Sequence, residues 1–281
     1  CPYCGVGCQL DLNVNTQTDR IVRSTSEVGV IPNDGNLCVK GRFGMDFVGK
    51  DDQLTVPLIK ENGQFREATW DEALDLVAKR FLELKESHGS DAIAGLSSAK
   101  TSNEDNYIMQ KMIRAVFGTN NVDHCARLCH ASTVDGLAKD FGSGAMTNTI
   151  EELRRVPVVF VIGSNTTECH PVIGILIRQA VAAGDTTLVV ADPRRISLTN
   201  QATLHMQQRP GTDVALLNAM MNAILEEGLE DRTFIEERTE DFEAVREAVA
   251  DCTPEFAADI TGVPAEDIRR AARLYASAPS A

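Results

Sequence analysis

The pattern of apolar and polar positions separates a β-rich start from a longer part in which strands and helices alternate. Between residues 10 and 14, leucine and valine alternate with polar side chains, and Arg20–Thr25 follows a polar turn, which predicts a β-hairpin. From Thr69 onward the apolar residues recur at helical spacing. Thr69 and Glu72 have the spacing of a capping box, and Gly89 is the predicted end of this helix.

The segment after this helix continues the alternation. A strand is predicted over Ala92–Leu96, and a second helix over Asn103–Phe117 with a glycine behind it. Residues 120–130 lack a clean period, and we expect them to form a loop. Because this run contains two histidines and two cysteines, and loops on α/β scaffolds often carry function, it is a candidate functional segment.

The middle of the chain carries a well-marked βαβ unit. Val158–Ile162 and Thr187–Ala191 are short, apolar and rich in β-branched residues, which predicts two buried parallel strands. Between them, residues 163–170 form a polar turn, and Pro171 stands where a first helical residue is favoured, before the apolar helix Val172–Ala183. This unit predicts a doubly wound α/β fold.

We therefore expect a small β-rich lobe followed by α/β domains. The predicted boundaries are a lobe over residues 1–56, an incomplete α/β domain over 57–122 and a Rossmann-like α/β domain over 123–281, which is mainly helical from Thr212. A chain of 281 residues exceeds what a single core usually organises, which favours such a division.

Composition and charge limit the kinds of ligand and environment that suit the chain. With 43% hydrophobic and 24% charged residues the chain has the make-up of a globular protein, and its net charge of −14 argues against nucleic acid as a ligand. The most apolar stretch, residues 156–162, is too short for a transmembrane helix. Because the sequence begins at Cys1 without a leader pattern, the compartment stays open, with the cytoplasm favoured over the periplasm.

Four of the eight cysteines form one spaced set at the start of the chain. Cys1, Cys4 and Cys8 are followed by the distant Cys38. Three thiols within eight residues plus one remote thiol suit a [4Fe-4S] cluster, and the intervening glycines let the backbone turn tightly around it. A structural zinc site is the alternative, although zinc sites more often use two C-x2-C pairs, and a set of buried thiols is a third reading.

These motifs resemble those of the molybdopterin oxidoreductases. The stretches CPYCGVGC at residues 1–8 and CVKGRFG at 38–44 resemble the cluster motif of that family. Residues 121–123, CARLCH at 125–130 and GSGAMTN at 142–148 resemble the metal-ligand segment of its formate dehydrogenase catalytic (alpha) subunits. The resemblance covers all 281 residues.

The resemblance implies roles for three residues outside the cysteine set. Cys129 matches the ligand of molybdenum or tungsten, a place where many members carry selenocysteine, and a thiolate is a soft donor that suits a redox metal. His130 matches the formate enzymes, since related nitrate reductases typically have Met there, and an imidazole suits proton removal near neutral pH. Lys40 would lie between the cluster and the pterin. An isolated Cys, His or Lys is more often structural or solvated.

The turn after the first strand of the βαβ unit, together with two later turns, indicates a nucleotide cradle. The carboxyl ends of parallel strands and the following helix N-termini favour phosphate, although the G-x-G-x-x-G pattern of NAD-binding folds is missing. Asp192 could accept hydrogen bonds from a ribose or guanine, and Arg194 or Arg195 could meet phosphate. By resemblance the cradle holds molybdopterin guanine dinucleotide, and the candidate residues are Gly163, Asn165, Glu168, His170, Asp192, Arg194, Gly211 and Asp213.

The resemblance implies oxidation of formate to carbon dioxide, reversible in principle, at a bis-molybdopterin guanine dinucleotide centre. Electrons would leave through the cluster to an iron–sulfur or flavin subunit. Whether the formate hydrogen leaves as hydride or as a proton towards His130 stays open. The alternatives are a nitrate reductase of the same superfamily and a non-catalytic iron–sulfur electron-transfer subunit. The family's formate-binding arginine and second pterin site belong to a C-terminal half of the subunit, so we expect the 281-residue piece alone to be inactive or poor in cofactor.

Overall fold

The computed structural model describes residues 1–281, and these divide into two compact units. The first unit consists of residues 1–48 together with 148–281, and the second is the intervening segment 49–147. The three-domain division predicted from the sequence remains a prediction. No helix of the chain is both long and apolar enough to cross a lipid bilayer.

Nine short strands occur along the chain. In order they are β1 Asp11–Asn15, β2 Arg20–Thr25, β3 Leu58–Glu61, β4 Gln64–Glu67, β5 Gly95–Ser97, β6 Val122–His124, β7 Val158–Ile162, β8 Thr187–Ala191 and β9 Leu204–Met206.

Twelve α-helices accompany them, joined in places by single turns of 3-10 helix. They are α1 Val39–Phe43, α2 Trp70–His88, α3 Asn103–Met112, α4 Ala126–Cys129, α5 Ala131–Phe141, α6 Thr166–Cys169, α7 Pro171–Ala183, α8 Asp213–Glu226, α9 Arg232–Arg238, α10 Phe242–Val249, α11 Pro254–Thr261 and α12 Ala265–Ala276.

The first unit is organised by a three-stranded parallel sheet in the order β7-β8-β9. Successive side chains of a strand point to opposite faces, so the sheet builds two cores. Leu188 and Val190 of β8 lie in the core that includes Ile177 of α7. Val189 and Ala191 lie in the opposite core, which is closed by α8, α11 and α12. Helices thus cover both faces of a parallel sheet, which confirms the predicted α/β fold class.

The same unit contains the predicted hairpin. Strands β1 and β2 pair antiparallel, with a break in register between Asn13 and Val14. Ser24 of β2 is buried, while most other hairpin side chains are exposed. The short helix α1 follows and packs on β2, which completes a small lobe at the start of the chain.

The second unit has a thinner interior. The long helix α2 starts where the sequence predicts, since the Thr69 side chain accepts a hydrogen bond from the Glu72 backbone N–H, but none of its residues is fully buried. Its hydrophobic core centres on Ile93, Ile113 and Phe117. The unit also holds the hairpin β3-β4 and a two-stranded parallel sheet of β5 and β6.

Three predictions need correction in this unit. The strand expected over Ala92–Leu96 covers Gly95–Ser97, because residues 90–92 form a 3-10 turn. The single helix predicted to Phe117 widens into a π-helical turn over Ile113–Phe117 before the left-handed Gly118. The run predicted as a loop contains β6 and α4. Both are only three or four residues long, too short to produce a detectable period.

Candidate functional site

The thiols of the cysteine set are brought together in the lobe of the first unit. Cys8 is buried in a small apolar cluster with Val6 and Val172, against which Cys1 and Cys4 pack. Cys38 occupies the N-cap position of α1, where its side chain makes no capping hydrogen bond. Burial raises the pKa of the Cys8 thiol, and the Cys4 and Cys38 thiols raise it further, so these two thiols lie within electrostatic reach of Cys8.

The backbone around these thiols leaves room for a cluster of atoms. Gly7 adopts a positive φ of 75°, which a residue with a side chain would reach only with strain. Nothing lies within 4 Å of the Cβ positions of Gly5 and Gly7, whereas a Cβ on Gly41 of α1 would lie 3.7 Å from the Cys1 Sγ. No three of the chain's His, Cys, Asp or Glu side chains are grouped closely enough to bind a single metal ion. The four cysteines nevertheless occupy one lobe, and an iron–sulfur cluster, which spans more space than a single ion, is the group that such a set of thiols fits.

Lys40 lies beside this set on α1. Its Nζ is 6.0 Å from the centre of the Tyr3 ring, and Tyr3 stands in the loop between Cys1 and Cys4. The Tyr3 hydroxyl donates to the Gly44 carbonyl oxygen at the end of α1, which ties this loop to the helix. A cation at this position is electrostatically suited to stand beside an anionic redox group. No pattern in the sequence marks this contribution of Tyr3.

Cys129 and His130 belong to the second unit, at the junction of α4 and α5. Cys129 is the last residue of α4, and His130 separates the two helices with a φ of −156°. The His130 backbone N–H donates to the Ala126 carbonyl (3.1 Å), and its carbonyl accepts from the Val134 N–H (2.8 Å). Both side chains are exposed. The main chain therefore holds a thiol and an imidazole side by side, with both side chains accessible.

His124 and Cys125 add a second imidazole–thiol pair just before α4. The Ala126 N–H donates to His124 Nδ1 (3.1 Å), and Cys125 Sγ lies 3.8 Å from the same nitrogen. Cys125 Sγ also accepts from the Ala99 N–H at 3.3 Å. Cys125 and Cys169 are both exposed.

Asp123 anchors the start of this segment. It accepts hydrogen bonds from Arg127 Nε and from the His124 N–H, both at 2.8 Å. The Arg127 side chain and then the His124 backbone hold the pKa of the Asp123 carboxyl below its usual range. The carboxylate thus fixes the β6–α4 connection that leads to Cys129.

The first loop of the candidate cradle follows β7. Gly163 has a φ of 59°, and its N–H donates to the Ala191 carbonyl at 2.9 Å, which joins the ends of the two strands. Beyond it, Asn165 Oδ1 and Thr167 Oγ1 are shielded from solvent and have no hydrogen-bond partner. Orphaned polar atoms of this kind are costly unless a ligand or water satisfies them. They fit a polar ligand such as a phosphate-bearing nucleotide.

The second loop follows β8 and brings Asp192 against Arg194. Asp192 is 1% exposed, and it accepts hydrogen bonds from the Arg194 N–H (2.8 Å), Nε (3.2 Å) and Nη2 (3.3 Å). Burial pushes the pKa of Asp192 upward, but the Arg194 hydrogen bonds together outweigh it and hold the pKa below its usual range. Asp192 raises the pKa of Arg194, to which Glu168 and Cys169 contribute, so the first and second loops are neighbours.

The third loop joins β9 to α8 and contains Gly211, whose φ is 82°, and Asp213, the first residue of the helix. The buried Gln208 Nε2 donates to Asp213 Oδ1 at 2.8 Å. Arg209 turns away, because its Nη1 donates to the carbonyls of Asp259 and Ile260 and so caps the end of α11. Gln208 had no sequence signal, since its role depends on contacts between separate segments.

Comparison with known proteins identifies the class. The chain matches the molybdopterin oxidoreductase family over residues 54–263 and the Fe4S4 domain of the molybdopterin oxidoreductases over residues 1–50. It therefore belongs to the molybdopterin oxidoreductase family. These matches confirm the predicted [4Fe-4S] cluster and a molybdopterin cofactor carrying molybdenum or tungsten.

Formate dehydrogenase subunits are among the proteins that this chain is similar to. The chain is 44% identical over 281 residues to the F420-dependent formate dehydrogenase 2 subunit alpha of Methanococcus maripaludis, covering all of this chain and 40% of that protein. It is 44% identical over 289 residues to formate dehydrogenase H of Escherichia coli, again covering all of this chain and 40% of the relative. The chain thus spans about 40% of the length of these relatives.

A solved structure shares the fold. Acetylene hydratase from Pelobacter acetylenicus superposes with a TM-score of 0.81 at 23% sequence identity, covering 100% of this chain and 39% of that one. The superposition supports the α/β architecture predicted from the sequence.

Proposed function

We propose that the full-length protein containing this chain oxidises formate to carbon dioxide, releasing one proton and two electrons, and delivers the electrons through the [4Fe-4S] cluster. The observation that carries the proposal is the exposed Cys129-His130 pair at the end of α4. Its support comes from the relatives of 44% identity, whose names describe formate dehydrogenases. When bound, molybdenum or tungsten held by two molybdopterin guanine dinucleotides supplies the two-electron acceptor.

Cys129 is the residue we assign to the metal. Its thiol is exposed at the C-terminal end of a helical turn whose backbone bonds run from Cys129 N–H to the Cys125 carbonyl (3.3 Å). A thiolate is a soft donor that suits a second- or third-row redox metal. The adjacent ion pair between Asp123 and Arg127 (2.8 Å) joins the end of β6 to the same helical turn.

His130 is assigned to proton removal. Its backbone is hydrogen-bonded on both sides, while its imidazole is exposed next to Cys129. Formate oxidation liberates a proton near neutral pH, and an imidazole is the side chain best suited to accept it there. His130 would hold that proton on a ring nitrogen before releasing it to solvent.

The lobe is assigned to electron exit. Cys1, Cys4, Cys8 and Cys38 hold the cluster, and Lys40 stands next to its loop with Nζ 6.0 Å from the Tyr3 ring. A fixed cation there favours negative charge on the neighbouring redox groups. We propose that Lys40 lies between cluster and pterin, and that an iron–sulfur or flavin subunit receives the electrons.

The three loops after β7, β8 and β9 are assigned to the dinucleotide. The Thr167 hydroxyl and the helix N-termini can donate hydrogen bonds to phosphate, the Asn165 oxygen can accept from ribose or purine donors, and the left-handed glycines let the backbone turn close to the ligand. The proposed contact residues are those predicted from the sequence, namely Gly163, Asn165, Glu168, His170, Asp192, Arg194, Gly211 and Asp213.

The test uses the purified full-length protein under anaerobic conditions. We expect formate to reduce a viologen dye, the reduced dye to be stable in the presence of nitrate, and elemental analysis to find iron together with molybdenum or tungsten. Oxidation of the reduced dye by nitrate, without formate activity, would identify a nitrate reductase instead. Iron without either metal, in an inactive protein, would identify an electron-transfer subunit.

A further inference from the structure

Gln208 is a buried amide in the nucleotide cradle whose presence the α/β fold does not require. It lies between β9 and the Arg209–Asp213 turn, and is 1% exposed. A leucine would fill a similar volume without polar atoms to satisfy. The buried Gln208 Oε1 has no hydrogen-bond partner, so burying this amide lowers the stability of the fold, whereas burying an apolar side chain of the same size would not.

The orientation of the Gln208 amide follows from its neighbours. Its Nε2 lies 3.3 Å from the Ala191 carbonyl oxygen and 2.8 Å from Asp213 Oδ1. Both partners are acceptors, so only the NH2 group can face them, and the unpartnered oxygen is fixed on the other side. The amide therefore uses both of its hydrogens to join the end of β8 to the start of α8.

This geometry fixes the Asp213 carboxylate through one of its oxygens, and because each carboxylate oxygen has two lone pairs, Oδ1 can accept from Gln208 and still face a ligand together with Oδ2. Oδ1 is held by Gln208, and the carboxylate stands half-buried at the first position of α8, just after the left-handed Gly211. With Oδ1 fixed, the carboxylate cannot rotate freely, and Oδ2 has a defined direction. A fixed carboxylate matches the adjacent N1–H and N2–H donors of guanine, whereas adenine offers a donor beside an acceptor.

We propose that Gln208 is the positioning residue that orients Asp213 toward the guanine base of the pterin dinucleotide. This inference rests on the dinucleotide site proposed above. Gln208 acts through Asp213 and through the Ala191 carbonyl, which sets the separation of the second and third loops. The base itself is bound by Asp213.

The experiment measures GMP binding to the full-length protein prepared without its pterin dinucleotide, by equilibrium dialysis. Gln208→Leu should weaken GMP binding about tenfold, the effect expected for losing a hydrogen bond to a charged group. In an Asp213→Asn background the same Gln208→Leu change should weaken it less than twofold, because an amide has a single acceptor oxygen: when that oxygen accepts from Gln208, the NH2 group faces the guanine donors, and Gln208 no longer helps to hold the base. A packing role alone would weaken binding equally in both backgrounds, and that outcome would overturn the inference.

Two controls keep folding and the site assignment separate from this result. Gln207 is the exposed neighbour, and its Nε2 donates to the Pro193 carbonyl (3.1 Å), so Gln207→Leu should leave GMP affinity within twofold. Iron content per chain reports whether each variant is folded in the lobe. Unchanged GMP binding in Asp213→Ala would refute the dinucleotide site itself. Loss in Asp213→Ala with unchanged binding in Gln208→Leu would refute only the role of Gln208.

Discussion

Gly174 of α7 packs closely against the backbone of α6, which follows the first cradle loop. Replacing Gly174 with alanine should loosen this contact. A Cβ at Gly174 would lie 2.9 Å from Thr167 Cα, 3.2 Å from Thr167 N and 3.4 Å from the Thr166 carbonyl oxygen. All three are backbone atoms of α6, which cannot swing aside as the end of a side chain could. Gly174→Ala must therefore shift α6, and with it Asn165 and the proposed dinucleotide contacts.

The expected change in the free energy of unfolding is the sum of two opposing effects. Alanine is about 1 kcal/mol more favourable than glycine inside a helix. Overpacking against a fixed neighbour costs about 1–3 kcal/mol. Gly136 in α5 supplies the matched control, because its Cβ position has nothing within 4 Å and Gly136→Ala should gain the helical term alone. The two variants should therefore differ by about 1–3 kcal/mol, roughly a 5- to 150-fold factor.

Amide hydrogen exchange of the full-length protein measures this difference locally. Under conditions where exchange reports the opening equilibrium, Gly174→Ala should speed exchange in peptides covering residues 163–183 by up to about thirtyfold, the net of about 0–2 kcal/mol. Gly136→Ala should slow exchange across residues 131–141 by about fivefold. If Gly174→Ala slows exchange as Gly136→Ala does, α6 does not pack against α7 as described.

Three further predictions address the metal, the core and pH. Cys129→Ala in the full-length protein should abolish molybdenum or tungsten binding while iron per chain is retained, and the control Cys252→Ala should keep both the iron and the molybdenum or tungsten. Elemental analysis measures these contents, and a normal molybdenum or tungsten content in Cys129→Ala would exclude Cys129 as the ligand. Leu216→Ala leaves a cavity at a fully buried position and should lower the free energy of unfolding by about 2.7–5 kcal/mol, seen as at least about hundredfold faster amide exchange in α8. The control Leu217→Ala, at a half-exposed position, should lower it much less. Asp34 accepts from the Gly29 N–H (2.6 Å) and Arg154 Nη1 (2.7 Å), which lower the pKa of its carboxyl. The stabilisation that ionised Asp34 gives the folded state is present above the unfolded pKa and is lost as pH falls through the lower folded pKa. The melting temperature of Asp34→Asn should therefore lie below that of the wild type at pH 7 and converge with it below about pH 3. A difference in melting temperature that stays constant with pH would contradict this reasoning.

Strong local signals explain the elements that the sequence predicts correctly. The strands Val158–Ile162 and Thr187–Ala191 agree with the structure residue for residue, because each is a continuous apolar run bounded by turn residues. The helix from Trp70 to His88 was marked by its Thr69 cap and by Gly89. The β1–β2 hairpin was marked by alternation. In each case the residues that define the element are adjacent in the chain.

The remaining features depend on contacts between distant segments. Strands β6 and β9 have three residues each, which is too few for a period, and each exists through pairing with a strand elsewhere in the chain. The role of Gln208 likewise requires Ala191 and Asp213 to be brought to it. Arg209 stands next to the third cradle loop in the sequence, but its side chain caps α11, some fifty residues away along the chain. Such assignments follow from three-dimensional proximity that spacing alone does not contain.

The interrupted first unit has a consequence during synthesis. Residues 1–48 share a unit with residues from 148 onward, so the thiols of Cys1, Cys4, Cys8 and Cys38 leave the ribosome more than 130 residues before the apolar side chain of Val172 that packs on Cys8. At roughly 5–20 residues per second, this delay lasts several seconds or longer. During that interval the nascent cysteines have no core to shelter them from oxidants. Delivery of iron and sulfide to this lobe therefore belongs after the βαβ unit has emerged, and the order of translation sets the earliest moment at which the cluster can be held.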